Sequence, residues 1–160
     1  MDVKKLNIGC GKEYIEGWIN LDSINVKKDV KHDLNKIPWP FKDSIFKEVL
    51  MKSVLEHLNN PIKIVKEVIR ISKKGAKLVI IVPHARSLAS VTDIQHKTYF
   101  TENSFCPELL KEYELSGLIL KRADFIYKNK WKKYIPFKKA FNIFLNSIYD
   151  DLLFEFEIAK

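Results

Sequence analysis

Three short segments carry residues whose types suit chemistry. Gly9-Cys10-Gly11 follows the apolar run Lys5 to Ile8, Asp22 closes the run Trp18 to Leu21, and Ser53-Val54-Leu55-Glu56-His57-Leu58 follows Phe46 to Met51. Each sits where a strand would end. Glycines let a backbone turn sharply and come close to a ligand. A carboxylate ending a second parallel strand can accept hydrogen bonds from both ribose hydroxyls of a nucleoside. Glu56 and His57 add a carboxyl and an imidazole, the usual acid–base groups near neutral pH. Of the four histidines, His57, His84 and His96 fall in or just after loops at strand carboxyl ends, whereas His32 falls within a strand and reads as structural. Each candidate has a plainer use. His57 can shape its loop, His84 can serve the turn after Pro83, and His96 can cap the helix that follows. Two glycines after a strand are, taken alone, most often a tight turn.

The elements that must hold these residues alternate between strand and helix patterns. Strands are expected at Lys5–Ile8, Trp18–Asp22, Asp29–Leu34 and Phe46–Met51. Ile37-Pro38-Trp39-Pro40-Phe41 must be a loop, because two prolines remove donors. A helix over Pro61–Ser72 has Asn60 as its cap and Pro61 in its first turn. Ile62, Val65, Val68 and Ile69 form its apolar stripe, and Lys73-Lys74-Gly75 stops it. Lys77–Val82 lacks alternation and reads as a central strand covered on both faces. A helix from Thr101 or Glu102 to Ser116, a strand Leu118–Tyr127, a helix Phe137–Ile148 and a strand Leu153–Ala159 complete the reading. The implied fold is α/β, a Rossmann-like three-layer sandwich. Its seven-stranded sheet is mostly parallel, with an antiparallel edge.

At 160 residues the chain supports one domain, residues 1–160, with a core over 5–127 and an aromatic-basic helix and last strand over 128–160. The longest aliphatic run, Leu78–Val82, is too short to span a bilayer. Met1 to Lys5 leads straight into a strand with no secretion signal, and two cysteines make no disulfide framework, so a cytoplasmic protein without membrane partners is expected. The formal net charge is +8, and Lys121–Lys139 holds eight basic residues against the one acid Asp124. Such a patch can attract nucleic acid or a phosphorylated substrate. An ordinary solvated face is the plainer reading.

The order Leu6-Asn7-Ile8-Gly9-Cys10-Gly11, Gly17-Trp18-Ile19-Asn20-Leu21-Asp22, Asp33-Leu34-Asn35, Pro38-Trp39-Pro40-Phe41 and Val54-Leu55-Glu56-His57-Leu58 resembles class I S-adenosylmethionine-dependent methyltransferases, and within them the type 11 group. The strong similarity covers Lys5 to Pro83. The resemblance implies S-adenosylmethionine as cofactor. Gly9 and Gly11 would lie under its methionine and ribose, and Asp22 would hold the ribose. Asp33 and Leu34 would meet the adenine, and Ser53 the methionine end. Glu56 and His57 would face the entering methyl acceptor, with His84 and His96 as further candidate bases.

Two departures stand out. Lys12 and Glu13 replace the group's third glycine, and Gly9 and Asp22 are only 13 positions apart, against about 20 in the generic dinucleotide fold. The helices between the first strands do not fit, so one sheet face should be short of helices. An uncovered apolar face is seldom tolerated. Cover by the C-terminal region, or a homodimer through that face, is therefore expected.

Glu56, His57, His84 and His96 offer donors suited to divalent ions. Some small-RNA 2′-O-methyltransferases use a Glu-Glu-His-His set around the same loop. Ser53 stands where their first glutamate would be, so no metal is expected. The acceptor is expected to be a small molecule or glycan. The competing acceptor is RNA, held by lysines interleaved with Trp131, Tyr134 and Phe137. Packing of those aromatics into the core or an interface is preferred. A binding or scaffold protein on a degenerate fold is the non-enzymatic alternative.

Overall fold

The structure is a computed structural model that describes residues 4–138 and 147–160, so most of the expected helix Phe137–Ile148 lies outside the described residues. Seven strands form one sheet: β1 (Lys5–Ile8), β2 (Ile19–Asp22), β3 (Val30–Lys31), β4 (Phe46–Lys52), β5 (Ser72–Pro83), β6 (Leu118–Ile126) and β7 (Asp151–Ile158). Their spatial order is β3-β2-β1-β4-β5-β7-β6, and β1 to β5 are mutually parallel. β7 enters antiparallel between β5 and β6, giving the expected antiparallel edge. The chain runs outward from β1 to β3, then returns to β4 on the other side. Strand order therefore reverses between β1 and β4, the place where open α/β sheets bind ligands.

α1 (Pro61–Ile71) packs against β5. Asn60 Oδ1 accepts the Lys63 N–H at 3.0 Å, a cap that contributes about 1 kcal/mol. Its most buried stripe is Ile64, Val65, Val68 and Ile71, rotated from the expected one; Ile62 and Ile69 are only partly buried. Glu67 lies in that stripe although charged. Arg70 donates to both of its oxygens, at 2.8 and 2.6 Å, and the Trp39 N–H donates at 2.6 Å. This pairing ties the proline-rich loop to α1.

Four further expectations change. Lys73-Lys74-Gly75 does not separate helix from strand: β5 starts at Ser72, directly after α1, and the three residues fall in a register shift where Phe46 pairs with Ser72 but Glu48 with Lys77. α3 is only Pro107–Glu112, because Pro107 cannot donate to a preceding turn and would clash with it. Thr101–Cys106 forms hydrogen-bonded turns instead. α2 (Leu88–Thr92) was not anticipated; Ser87 caps it by accepting the Ser90 N–H. Finally, β5 is not covered on both faces. Leu78, Ile80 and Val82 are at most 1% exposed while Val79 and Ile81 are half-buried, so its apolar run hides a real alternation.

The half-buried face, expected to be apolar and covered by the C-terminal region or a second copy, carries charge as well. Lys5, Glu48, Lys77 and Glu157 stand opposite one another across β1, β4, β5 and β7. Ion pairs Lys5–Glu48 (2.7 Å), Lys77–Glu155 (2.9 Å) and Lys121–Glu157 (2.9 Å) cover it. Among the described residues, no helix is long and apolar enough to cross a membrane.

The missing helix between β1 and β2 is replaced by a buried amide network. Asn20, fully buried, accepts the Ile15 N–H at 2.9 Å and donates to the carbonyls of Ile15 (2.9 Å) and Trp18 (3.0 Å). Asn7 donates to Asn20 Oδ1 at 3.0 Å and to the Glu13 carbonyl at 2.8 Å. Two strand side chains thus satisfy the backbone of a connection too short for a helix, as buried peptide groups require.

Of the two packings expected for the basic aromatic segment, the core is not the one adopted. Trp131, Tyr134 and Phe137 are 64%, 84% and 81% exposed. They do not pack into the core of the described chain. Lys132 instead turns inward, 2.7 Å from Asp150.

Candidate active site

The strand ends at the switch point form a cleft of about 250 Å³ lined by Asn7, Gly9, Gly11, Glu13, Lys52 and Ser53, among others. Gly9 adopts φ +64° and backs onto the β4 loop so closely that a Cβ there would lie 2.4 Å from Val54 Cγ2. Gly11, at φ +48°, faces open space; nothing lies within 4 Å of where its Cβ would be. Its N–H donates to Asp22 Oδ2 at 2.7 Å, and the Ile24 N–H donates to Asp22 Oδ1 at 3.0 Å. The Asp22 carboxylate is therefore fixed beside the glycine turn, and each oxygen keeps a lone pair for a ligand hydroxyl.

Ser53, exposed and at φ +53°, joins the cleft wall; its N–H donates to the Ile81 carbonyl at 2.8 Å. Asp33 folds its carboxylate onto the Asn35 N–H at 3.0 Å. Leu34 is 7% exposed and joins the core cluster, so it offers a ligand little surface. Lys52 and Glu13 were not foreseen. They pair across the rim at 2.6 and 2.8 Å, and only the fold brings them together.

A second group lies beyond β4, on a 3-10 turn (Leu55–His57). Glu56 is fully buried, and neither carboxylate oxygen has a hydrogen-bond partner among the described residues. Burial pushes its carboxyl up to about 7; the dipole of its own backbone N–H and then His96 oppose this, while Asp151 and Asp93 add to it. The His57 and His96 rings meet edge to face with centroids 4.6 Å apart. Burial, then His96, holds the His57 imidazole below its ordinary value. The loop carrying His96 is anchored by Lys97 and Thr98, whose N–H groups both donate to the Glu56 carbonyl, at 2.8 and 3.2 Å. His96 does not cap a helix; its Nδ1 bonds the Ser90 carbonyl at 2.8 Å.

His84 stands apart from this pair. It is 2% exposed, with Nδ1 accepting the Arg86 N–H at 3.0 Å and Nε2 3.5 Å from Glu102. Phe125 and Tyr149 close over the ring. Burial lowers its basicity and Glu102 partly restores it. His32 bonds the Lys36 carbonyl at 2.7 Å, a loop contact.

Residues 16–80 match the family model described as a methyltransferase domain, the stretch from just before β2 to the middle of β5. The whole chain superposes on solved proteins of the same fold. A SAM-dependent methyltransferase from Archaeoglobus fulgidus aligns with TM-score 0.69 and 19% identity, over 97% of this chain and 86% of that one. The chain thus has the fold of class I S-adenosylmethionine-dependent methyltransferases, and residues 16–80 are similar to the methyltransferase-domain family. A Haloferax volcanii protein solved in complex with the Trm112 methyltransferase activator aligns with TM-score 0.65 and 14% identity, over 99% of this chain and 84% of that one. An uncharacterised protein of Methanocaldococcus jannaschii is 30% identical over 139 residues, covering 79% of this chain and 59% of its own length. The chain thus spans about three-fifths of that curated relative.

The class I methyltransferase cofactor is S-adenosylmethionine, and the donor set at the switch point fits it. An open glycine turn beside a fixed, buried carboxylate matches a ribose diol. The cleft is smaller than the usual 300–1,000 Å³ of ligand sites, so it encloses one end of such a molecule rather than the whole.

Proposed function

We propose that the protein transfers a methyl group from S-adenosylmethionine to a small-molecule or glycan-type acceptor. The observation that carries this reading is the Asp22 carboxylate held 2.7 Å from the Gly11 N–H at the switch point. Asp22 takes the ribose hydroxyls, and Gly9 and Gly11 let the backbone pass beneath the cofactor. Ser53 borders its methionine end. Glu13 and Lys52 meet the ammonium and carboxylate of that end, exchanging their ion pair for two with the ligand. Asp33 approaches the adenine amine, and Leu34 backs the base from the core. The bound cofactor supplies an activated methyl on sulfonium sulfur. The chain's part is to orient both partners and exclude water.

Glu56, His57 and His96 stand on the acceptor side, and His84 supports the loop from within. A second cleft, of about 330 Å³, lies between the start of α1 and residues 98–115; its lining approaches this group in sequence through Asn59 and Thr98. Thr98, Tyr99, Phe100, Ile62 and Phe105 line it, a mostly apolar wall suited to a small acceptor.

Isothermal titration with S-adenosylmethionine and with its demethylated product tests the reading. Saturable heat with at least one is expected, weakened about 10- to 100-fold in Asp22→Ala through lost charge-assisted hydrogen bonds. No heat with either, on protein with native circular dichroism, refutes it and leaves the scaffold alternative.

The exposure of Trp131, Tyr134 and Phe137 favours a second reading, an RNA acceptor. Bases can stack on these rings while Lys130 and Lys133 meet phosphates. A filter-binding titration with single-stranded RNA at two salt concentrations distinguishes the two acceptors. Complex formation weakened by salt supports RNA.

A further inference from the structure

We propose that Glu56, His57 and His96 form a three-ligand site for a divalent transition-metal ion. One donor atom from each side chain lies within 4.8 Å of the others. Donor atoms around a tetrahedral ion bound at about 2.1 Å sit about 3.4 Å apart. The cluster therefore needs to close by little more than 1 Å, within reach of small turns of two imidazole rings.

The unpaired groups carry the argument. Both Glu56 oxygens and His57 Nδ1 are buried with no hydrogen-bond partner among the described residues. Buried polar atoms are nearly always satisfied, and an unpaired carboxylate is among the most expensive to leave bare. Here three such atoms share one place, two residues of the same turn. Asp93 and Asp151 add negative charge around Glu56. Lys97 contributes a positive charge near His57 but spends its ammonium on Asn59, 2.6 Å away.

The outer contacts are those of a ligand set. His96 Nδ1 bonds the Ser90 carbonyl at 2.8 Å, which places the proton there and leaves the Nε2 lone pair free. His57 Nδ1 stays unpaired. A second ring nitrogen held by a backbone carbonyl is how metal-bound imidazoles are oriented. The backbone fixes the third partner as well, since the Glu56 carbonyl anchors the His96 loop through Lys97 and Thr98.

Two imidazoles and one carboxylate select Zn²⁺, Fe²⁺, Co²⁺ or Mn²⁺ over Mg²⁺ or Ca²⁺. Three protein ligands leave a position open to an oxygen of water or of an acceptor. The use of that position on an acceptor rests on the methyl-transfer reading; the binding of the ion does not. With an ion present, His57 and His96 act through it rather than as free bases. Ser53 is no obstacle, because the three groups suffice without a fourth from the β4 end.

The test is equilibrium dialysis of the full chain, without a polyhistidine tag and without cofactor, against Zn²⁺, with metal measured by mass spectrometry. One equivalent is expected, together with a rise in Tm of about 5–10 °C at a hundredfold excess over Kd. His96→Ala, on a surface loop, should lose at least about 100-fold in affinity. His32→Ala should bind like the original protein. Co²⁺ should give visible ligand-field bands, without the thiolate charge-transfer band that Cys10 or Cys106 would add. Zn²⁺ uptake no greater than that of folded His96→Ala overturns the proposal. So does uptake unaffected in both His96→Ala and Glu56→Gln. Metal uptake without any S-adenosylmethionine binding leaves the site standing and removes only the methyl-transfer reading.

Discussion

Replacing Asn20 by alanine should cost the protein a large share of its stability, although Asn20 touches no ligand. Its side chain makes five hydrogen bonds, with Ile15 N–H, Ile15 carbonyl, Trp18 carbonyl, Asn7 Nδ2 and Asp29 Oδ2, all between 2.9 and 3.0 Å. Each contributes about 1 kcal/mol net. Some freed groups regain water because the 12–17 connection reaches the surface, so the expected loss is about 3–4 kcal/mol. That is a large fraction of the 5–15 kcal/mol typical of a domain. Urea denaturation should show a lower midpoint at unchanged slope, and Tm should fall by about 10 °C. Asn20→Asp, nearly the same size, should be at least as harmful, because it turns an acceptor toward two carbonyls and the Asp29 carboxylate. The Asn20 side chain, then its backbone N–H, holds the Asp29 carboxyl below the usual range. A lowered carboxyl contributes stability above its unfolded value, near pH 4, and that contribution disappears as pH falls through the folded value. The gap between the original chain and Asn20→Ala should therefore narrow below about pH 4. A loss under about 1 kcal/mol, or a slope change without a midpoint shift, would refute the idea that this network replaces a helix.

Gly9→Ala should destabilise by about 1–3 kcal/mol, since its Cβ would press on Val54. Gly11→Ala should cost only the left-handed backbone term of about 1–2 kcal/mol, yet weaken cofactor binding as a methyl enters the cleft; thermal melts and titration calorimetry separate the two. Glu67→Gln should lower stability by about 2–3 kcal/mol, because Arg70 is left without its buried partner. Burial raises the Glu67 carboxyl, but Arg70 and the Trp39 N–H bring it below its ordinary value overall. The original chain should therefore lose this stabilisation in acid below about pH 4.3, and Glu67→Gln should show a flatter acid limb in pH-dependent melts. If RNA is the acceptor, Trp131→Ala with Tyr134→Ala should weaken single-strand binding at least about tenfold, as stacking contributes about 1–3 kcal/mol per base; equal binding removes that reading.

The switch-point elements were legible because each is local. Gly9, Gly11 and Asp22 stand at strand ends whatever surrounds them, and the structure places them together around one hydrogen bond. The histidine and glutamate cluster was legible only as a list. His96 is 40 positions from Glu56, and their meeting depends on two N–H groups of its loop finding one carbonyl. The same list held His84, which the fold leaves outside that cluster, because exposure to a site and enclosure by Phe125 and Tyr149 look alike in sequence. The shortness of α3 is readable in Pro107, which cannot continue a helix begun at Thr101. The alternation in β5 was not readable, since Val79 and Ile81 are as apolar as their buried neighbours. Asn7 and Asn20, poor strand formers inside strands, were the one visible sign of the network that closes the short connection.

The charged sheet face sets how the molecule should respond to ionic strength. Leu50, Val79, Ile81 and Leu153 lie half-buried on it, fenced by the lysine–glutamate pairs. In dilute buffer, at about 0.01 M salt, the field of those charges reaches about 30 Å and so extends over the apolar stripe. At 1 M salt the screening length shrinks to about 3 Å, and the fence stops acting beyond its own contacts. Pairing of two copies across this face, driven by the stripe, should therefore strengthen as salt rises. A complex held by the Lys121–Lys139 segment should do the reverse, so the sign of the salt response reports which surface is engaged.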